Sequence, residues 1–174
     1  MRMGKISLLV LLIFWSGCII SPQETEIHEL ASGTFQAKVI RILDGDTMEV
    51  LYESKPVKIR LAHIDCPEKR RKQPFSQAAK KALANLCFDE DVTVETQKYD
   101  RYSRLIAVVI NARKQVINQE MIRIGMAWHF KKYSSDSLYA QLEIEARKMK
   151  IGLWQDPNPV APWEWRQRER HPKF

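Results

Sequence analysis

Two alternating apolar segments meet at Asp44-Gly45, and this dipeptide restricts the fold of the chain more than any other feature. Asp-Gly between two period-two runs is a strong hairpin signal. The incoming run is Thr34 to Leu43, with Phe35, Ala37, Val39 and Leu43 marking one side. The return run is Thr47 to Tyr52. A third strand is expected over Val57 to Leu61, where apolar and basic residues alternate, so that one face is buried.

Beyond the third strand the period changes. Pro74 to Leu86 carries Ala78, Ala79, Ala82, Leu83 and Leu86 at spacings of three and four, which predicts a helix. Val92 to Gln97 and Leu105 to Ile110 return to a strand pattern. Asn118 to Ile124 predicts a short helix stopped at Gly125. A last helix, capped by Ser135 or Asp136, has Leu138, Leu142, Ala146 and Met149 on its apolar stripe. Three strands, a helix, two strands and two helices predict a mainly β (α+β) fold: a five-stranded OB-type Greek-key barrel with three packed helices.

The chain has 174 residues, 45% hydrophobic and 28% charged, which suits one globular domain behind a leader. Arg2 and Lys5 precede an apolar run from Ile6 to Trp15 and then Ser16-Gly17-Cys18, the order of a secretory signal peptide. The run is too short to span a bilayer. Cys18 after Ser-Gly resembles the lipobox of bacterial lipoproteins, with Trp15 where Leu is usual. The expected organisation is a signal peptide over 1–18, lipidated at Cys18, and a polar tether over 19–33. The domain itself covers 34–156, and a Trp/Arg-rich extension covers 157–174. In that extension Trp163 and Trp165 are expected to dock on the barrel, and it is left out of the site. Cys66 and Cys87 are read as free thiols.

Net charge +7 and a pI near 9.4 favour a polyanionic partner but specify no chemistry. Chemistry is concentrated in three segments. They are Asp44-Gly45-Asp46-Thr47, Arg60 to Glu68, and Asp100-Arg101-Tyr102-Ser103-Arg104. Phosphodiester hydrolysis requires a hard cation on oxygen ligands, arginines for the equatorial oxygens and a carboxylate for water. Asp46 and Asp65 are candidate cation ligands, Arg60 and Arg104 a candidate phosphate clamp, and Glu68 a candidate base.

These motifs, in this order, resemble the staphylococcal nuclease (thermonuclease) family. The resemblance covers about Thr34 to Trp154 and includes Asp65-x-Pro67-Glu68, Asp100-x-Tyr102-x-Arg104 and Gly152-Leu153-Trp154. It implies a calcium-dependent nuclease, with magnesium the lesser alternative, that cuts DNA and often RNA and leaves 3′-phosphate ends. By resemblance, Asp46 and Asp65 bind the metal, the residue at Cys66 lends a backbone carbonyl, and Arg60, Glu68 and Arg104 are catalytic. Tyr102 and Tyr133 are candidate substrate contacts, together with the basic run Lys69-Arg70-Arg71-Lys72. Three positions depart from the pattern: Cys66 stands for Thr, Ser103 for Gly, and Lys131 for a second tyrosine.

From Lys55 to Lys81 nine basic residues face Asp65 and Glu68, a balance equal to the whole chain's +7. A charge run is usually a solvated face, but this one brackets the candidate site and is read as a path for a phosphate backbone. His63 and His129 read as packed histidines, since no His/Cys spacing here fits zinc. Taken singly, Arg60 and Asp65 are an ordinary ion pair worth about 0–1 kcal/mol at a surface. The competing function is a non-catalytic nucleic-acid-binding module. It would be expected to have lost one of Asp46, Asp65, Arg60, Glu68 or Arg104, and all are present. The chain is expected to act as a monomer, exported, with no protein partner and no membrane contact except the lipid.

Overall fold

The structure is a computed structural model that describes residues 32–69 and 72–170. The expected leader with Cys18, the tether up to residue 31, Arg70, Arg71 and residues 171–174 lie outside the described residues.

Strands β1 (Thr34–Asp44), β2 (Thr47–Tyr52), β3 (Lys55–Leu61), β5 (Asp91–Tyr99) and β6 (Leu105–Ile110) close into a barrel in the order β1-β2-β3-β6-β5. The pairing is antiparallel except between β3 and β6, where Ile59 to Leu61 run parallel to Leu105 to Ala107. The five strands form the OB-type barrel expected from the sequence. Two further residues, Ile64–Asp65 (β4), pair with Trp128–His129 (β7) in a small separate ribbon.

The barrel interior follows the alternation along each strand: Ala37, Val39, Met48, Val50, Ile59, Leu61, Val92, Val94, Leu105, Ala107 and Val109 are all buried. One expectation fails. The core position near the end of β1 is Ile42, and Leu43 is only half-buried. The β1–β2 register shifts between Val39 and Arg41 and again between Ile42 and Asp44. An inserted residue reverses the parity of a strand, and period-two reading cannot foresee it.

Helix α1 (Ser76–Cys87) caps the barrel with Ser76, Ala79, Leu83 and Cys87 buried. Helix α2 (Ile117–Arg123) ends at Gly125, whose φ is +66°. Helix α3 (Ser137–Lys148) is capped by Asp136, whose side chain accepts the Leu138 N–H at 2.8 Å. Its inner stripe is Tyr139, Leu142, Glu143 and Ala146, while Leu138 and Met149 are exposed. Gly125 and Gly152 meet back to back: a Cβ on Gly152 would lie 2.3 Å from the Gly125 carbonyl oxygen. Only glycine fits there, and the contact fixes the 3₁₀ turn Gly152–Gln155 against the end of α2.

A fourth helix, α4 (Pro162–Arg170), occupies the C-terminal extension, so the expected count of three is corrected to four. It packs through a second cluster of Trp128, Ala146, Leu153, Trp154 and Ala161, with Phe75 and Trp163 at its edge.

Candidate active site

The Asp44-Gly45 hairpin, β3 and the β4 segment meet at one rim of the barrel. Thr47 pairs with Arg60 across β2–β3, so Asp46 arrives beside Arg60, and the Leu61 N–H donates to the Asp46 carbonyl at 2.9 Å. Gly45 is required for packing and not for a positive φ. A Cβ there would stand 2.8 Å from Ala79 Cβ and 2.9 Å from Cys66 Cβ. The hairpin tip is therefore pressed between α1 and the segment after β4.

Arg60 is the hub. Its Nη2 lies 2.9 Å from Asp65 Oδ1 and 3.1 Å from Asp46 Oδ2. Its Nη1 donates to the Leu61 carbonyl at 2.7 Å and the Ile64 carbonyl at 2.9 Å. Burial alone would lower the Arg60 pKa, but Asp46 and Asp65 outweigh it and the guanidinium is held charged. The Asp46 carboxylate is oriented from both sides, by Thr47 Oγ1 at 2.9 Å and by the Cys66 N–H at 3.0 Å. Burial pushes the Asp65 carboxyl upward; Arg60 opposes that and neighbouring Asp46 adds to it. Asp44 joins the same group. Its carboxyl is raised to about 6, first by burial and then by Asp46, with Glu68 contributing.

Glu68 stands at the mouth of this cluster, its N–H donating to Gln73 Oε1 at 3.0 Å. Arg104 ends the turn that leads into β6, one residue before Leu105, which pairs with Ile59. Its guanidinium is held by Asp100, with Nε–Oδ2 at 2.8 Å and Nη2–Oδ2 at 2.7 Å, so it is not drawn onto the Asp46–Arg60–Asp65 group. Asp100 also accepts the N–H groups of Tyr102 and Arg104 at 2.8 and 3.0 Å. Ser103 in that turn has φ +56°, the left-handed conformation for which glycine is better suited. Tyr102 is 62% exposed and lies under both Arg101 and Arg104, 4.8 and 5.5 Å from its ring centre. Tyr133 is 68% exposed, edge-on to Phe130 at 4.8 Å. Lys69 and Lys72 line an open cleft of about 460 Å³ with Gln73, Phe75 and the start of α1.

Among the described residues no group of three or more His, Cys, Asp or Glu is arranged to hold a metal. The donors at this rim still suit a hard cation. Asp46 and Asp65 are all-oxygen ligands that already converge on one positive group, and an ion that keeps several waters needs few protein ligands. The Cys66 thiol is buried and pushed well up by burial and then by Asp46, which leaves it unsuited to bind metal as thiolate.

The sequence model of the family described as "Staphylococcal nuclease homologue" matches residues 58–156. The chain belongs to this family. An "Uncharacterized endonuclease" of Haemophilus influenzae is 45% identical over 134 residues, covering 76% of this chain and 74% of that protein. A protein of the same name from Escherichia coli is 42% identical over 132 residues, covering 76% and 85%. A "Micrococcal nuclease" of Shigella flexneri is 39% identical over 147 residues, covering 79% and 83%.

Two features of this staphylococcal nuclease homologue escaped sequence reasoning. The first is Gln73, which is buried and bonds Glu68 on one side and the Val160 carbonyl, at 2.7 Å, on the other. The second corrects the exclusion of the C-terminal extension. Arg166 of α4 pairs with Glu68 through Nη1 and with Asp65 Oδ2 through Nη2 at 2.7 Å. Trp163 docks, although on the β7 segment and not on a barrel strand, stacked on Phe130 at 5.4 Å and edge-on to Trp128 at 5.7 Å. The available signal was the spacing Trp163-x-x-Arg166, which puts both side chains on one face of a helix.

Proposed function

We propose that this nuclease of the staphylococcal family hydrolyses phosphodiester bonds in DNA, with RNA as a second candidate substrate, using calcium as its cation, with little sequence preference, leaving 3′-phosphate ends. The observation that carries this reading is the convergence of buried Asp46 and Asp65 on Arg60, with Glu68 beside them at an open rim. The endonuclease and micrococcal nuclease names of its relatives support the reaction class.

Arg60 binds a phosphate oxygen with little loss of side-chain freedom, because the Leu61 and Ile64 carbonyls already fix its guanidinium. Arg104 supplies a second guanidinium on leaving Asp100, and Tyr102 beside it offers a ring to a base. Glu68 accepts the proton of the attacking water or orients it. Asp46 and Asp65, with the carbonyl at Cys66, hold the cation. When bound, calcium offsets charge on the phosphate and polarises the phosphorus–oxygen bond. Lys69 and Lys72 along the adjacent cleft suit the flanking phosphates, an interaction that is sequence-independent and salt-sensitive.

Digestion of single-stranded DNA and RNA by the purified chain, with calcium, with magnesium and with chelator, tests this reading. Calcium-dependent cleavage with 3′-phosphate ends is expected, and Glu68→Gln should abolish it. Salt-sensitive binding without cleavage under any cation would replace it with the binding-module reading. For location, we propose export as a lipoprotein anchored at Cys18. Mass spectrometry of the membrane-extracted chain should find an acylated N-terminal Cys18.

A further inference from the structure

We propose that Arg166 is a built-in competitor for the cation, which α4 delivers onto Asp65 and Glu68 and which metal binding must displace. The inference rests on the calcium reading above. It concerns the extension from residue 157 onward, beyond the span matched to the family.

The geometry leaves Asp65 few options. Its Oδ1 receives Arg60 Nη2 at 2.9 Å and lies 3.4 Å from Arg166 Nη1. Its Oδ2 receives Arg166 Nη2 at 2.7 Å. The same Nη1 holds Glu68 Oε1. One guanidinium thus spans the candidate metal ligand and the candidate base at once. It presents positive charge where a cation on Asp65 would place its own. Like charges a few ångströms apart, beside the buried Asp65 carboxylate, repel one another. Arg60 engages only Oδ1 of Asp65, whereas Arg166 takes Oδ2 and Glu68 as well, and so competes with a divalent ion for Asp65.

The anchor of the helix is separate from this contact, which is what allows one to give way without the other. Trp163 lies flat on Phe130, with an interplanar angle of 5°, and edge-on to Trp128, which meets Trp154 at 4.5 Å. The chain entering α4 is pinned by Gln73 through the Val160 carbonyl. Gln73 also bonds the Glu68 backbone, so the loop that bears the base and the segment that bears its blocker are mechanically joined. With Arg166 docked, Asp65 and Glu68 are neutralised within the chain and Glu68 is not free to take a proton. Cation binding releases both carboxylates together.

A competing internal state raises the apparent Kd by the fraction of molecules it occupies. If Arg166 is docked in about nine molecules of ten, affinity is lowered about tenfold. The test is calcium titration of the full chain by calorimetry, comparing wild type, Arg166→Gln and Arg166→Lys, with Asp65→Asn defining binding elsewhere. The Gln variant should bind calcium about tenfold more tightly than wild type, with Lys in between. Thermal melts of each variant establish that it is folded, and the Lys variant keeps the comparison open if Gln unfolds. Equal or weaker calcium binding by folded Arg166→Gln would overturn the proposal and make Arg166 a support for the carboxylates. Binding absent from wild type and both Arg166 variants would instead remove the calcium reading, and this inference with it.

Discussion

The backbone N–H of Cys66 donates to Asp46 Oδ2 at 3.0 Å, joining the hairpin between β1 and β2 to the segment that follows β4. One carboxylate therefore orients a candidate metal site and closes a tertiary contact between residues twenty positions apart. Asp46→Ala should lose both functions. It removes an acceptor from a buried N–H and one of the two carboxylates on Arg60, costing about 1–3 kcal/mol. Urea unfolding should show that loss, and calcium-dependent cleavage should fall at least about a hundredfold. Full stability with lost activity would mean that the Cys66 contact contributes nothing to the fold.

Gly45→Ala tests the packing of the same hairpin without altering a charge. The added methyl would meet Ala79 Cβ at 2.8 Å and Cys66 Cβ at 2.9 Å, neither of which has a flexible end to move aside. Overpacking of this kind costs about 1–3 kcal/mol. Because the strain falls between Asp46 and α1, activity should drop along with the melting temperature. A neutral variant would show that α1 can shift away from the rim.

The barrel was legible in the chain because its strands carry stretches of apolar and polar alternation, punctuated by Asp44-Gly45 and the turn at Asp100 to Arg104. Asp46, Arg60, Asp65 and Glu68 were legible because they lie in short local motifs, and the fold places them within one rim. What was not legible depends on contacts distant in sequence or on register. Ile42 replaces Leu43 in the core because of a bulge that no period reveals. Gln73 looks like an ordinary loop glutamine until Val160 closes on it. Arg166 lies about a hundred residues from Asp65, in a segment whose tryptophans signalled docking and whose arginine was marked only by its spacing from Trp163. Lys69 and Lys72 reach a common cleft, whereas Arg104 is turned to Asp100, a partner that the spacing of four allowed but did not require.

His63 and His129 share Ser134 Oγ, at 2.9 Å from His63 Nδ1 and 3.0 Å from His129 Nε2, and both rings lie against Tyr139. Burial lowers the pKa of each imidazole, opposed at His63 by Asp136 and at His129 by Glu143. A base with a folded pKa below its unfolded value takes up protons more readily in the unfolded chain. Its contribution is present above about pH 6.5 and is lost as pH falls through the folded pKa. These two imidazoles should therefore lower the melting temperature between pH 7 and pH 5, against the opposite contribution of Asp44, whose carboxyl is raised to about 6. In a chain carrying His63→Gln and His129→Gln the fall should be shallower. Parallel profiles would show that carboxylates, not this pair, set acid stability.

The turn that carries Arg104 separates strain from chemistry. Ser103 at φ +56° bears a left-handed penalty of about 1 kcal/mol that glycine escapes, although glycine also adds freedom to the unfolded chain. Ser103→Gly should accordingly be neutral or stabilising by under about 1 kcal/mol, with activity retained. Arg104→Ala should act in the opposite way. It removes a partner from Asp100, whose carboxylate the Arg104 and Tyr102 N–H groups and the Arg104 guanidinium hold below the usual range against its burial. That loss at a partly exposed pair is small, about 0–1 kcal/mol. Turnover, however, should fall by about 10³- to 10⁵-fold, the scale of a phosphate-stabilising arginine. Single-turnover cleavage of DNA at saturating calcium measures it. A variant that cleaves at the wild-type rate would leave Arg104 as the partner of Asp100 and place phosphate binding on Arg60 alone.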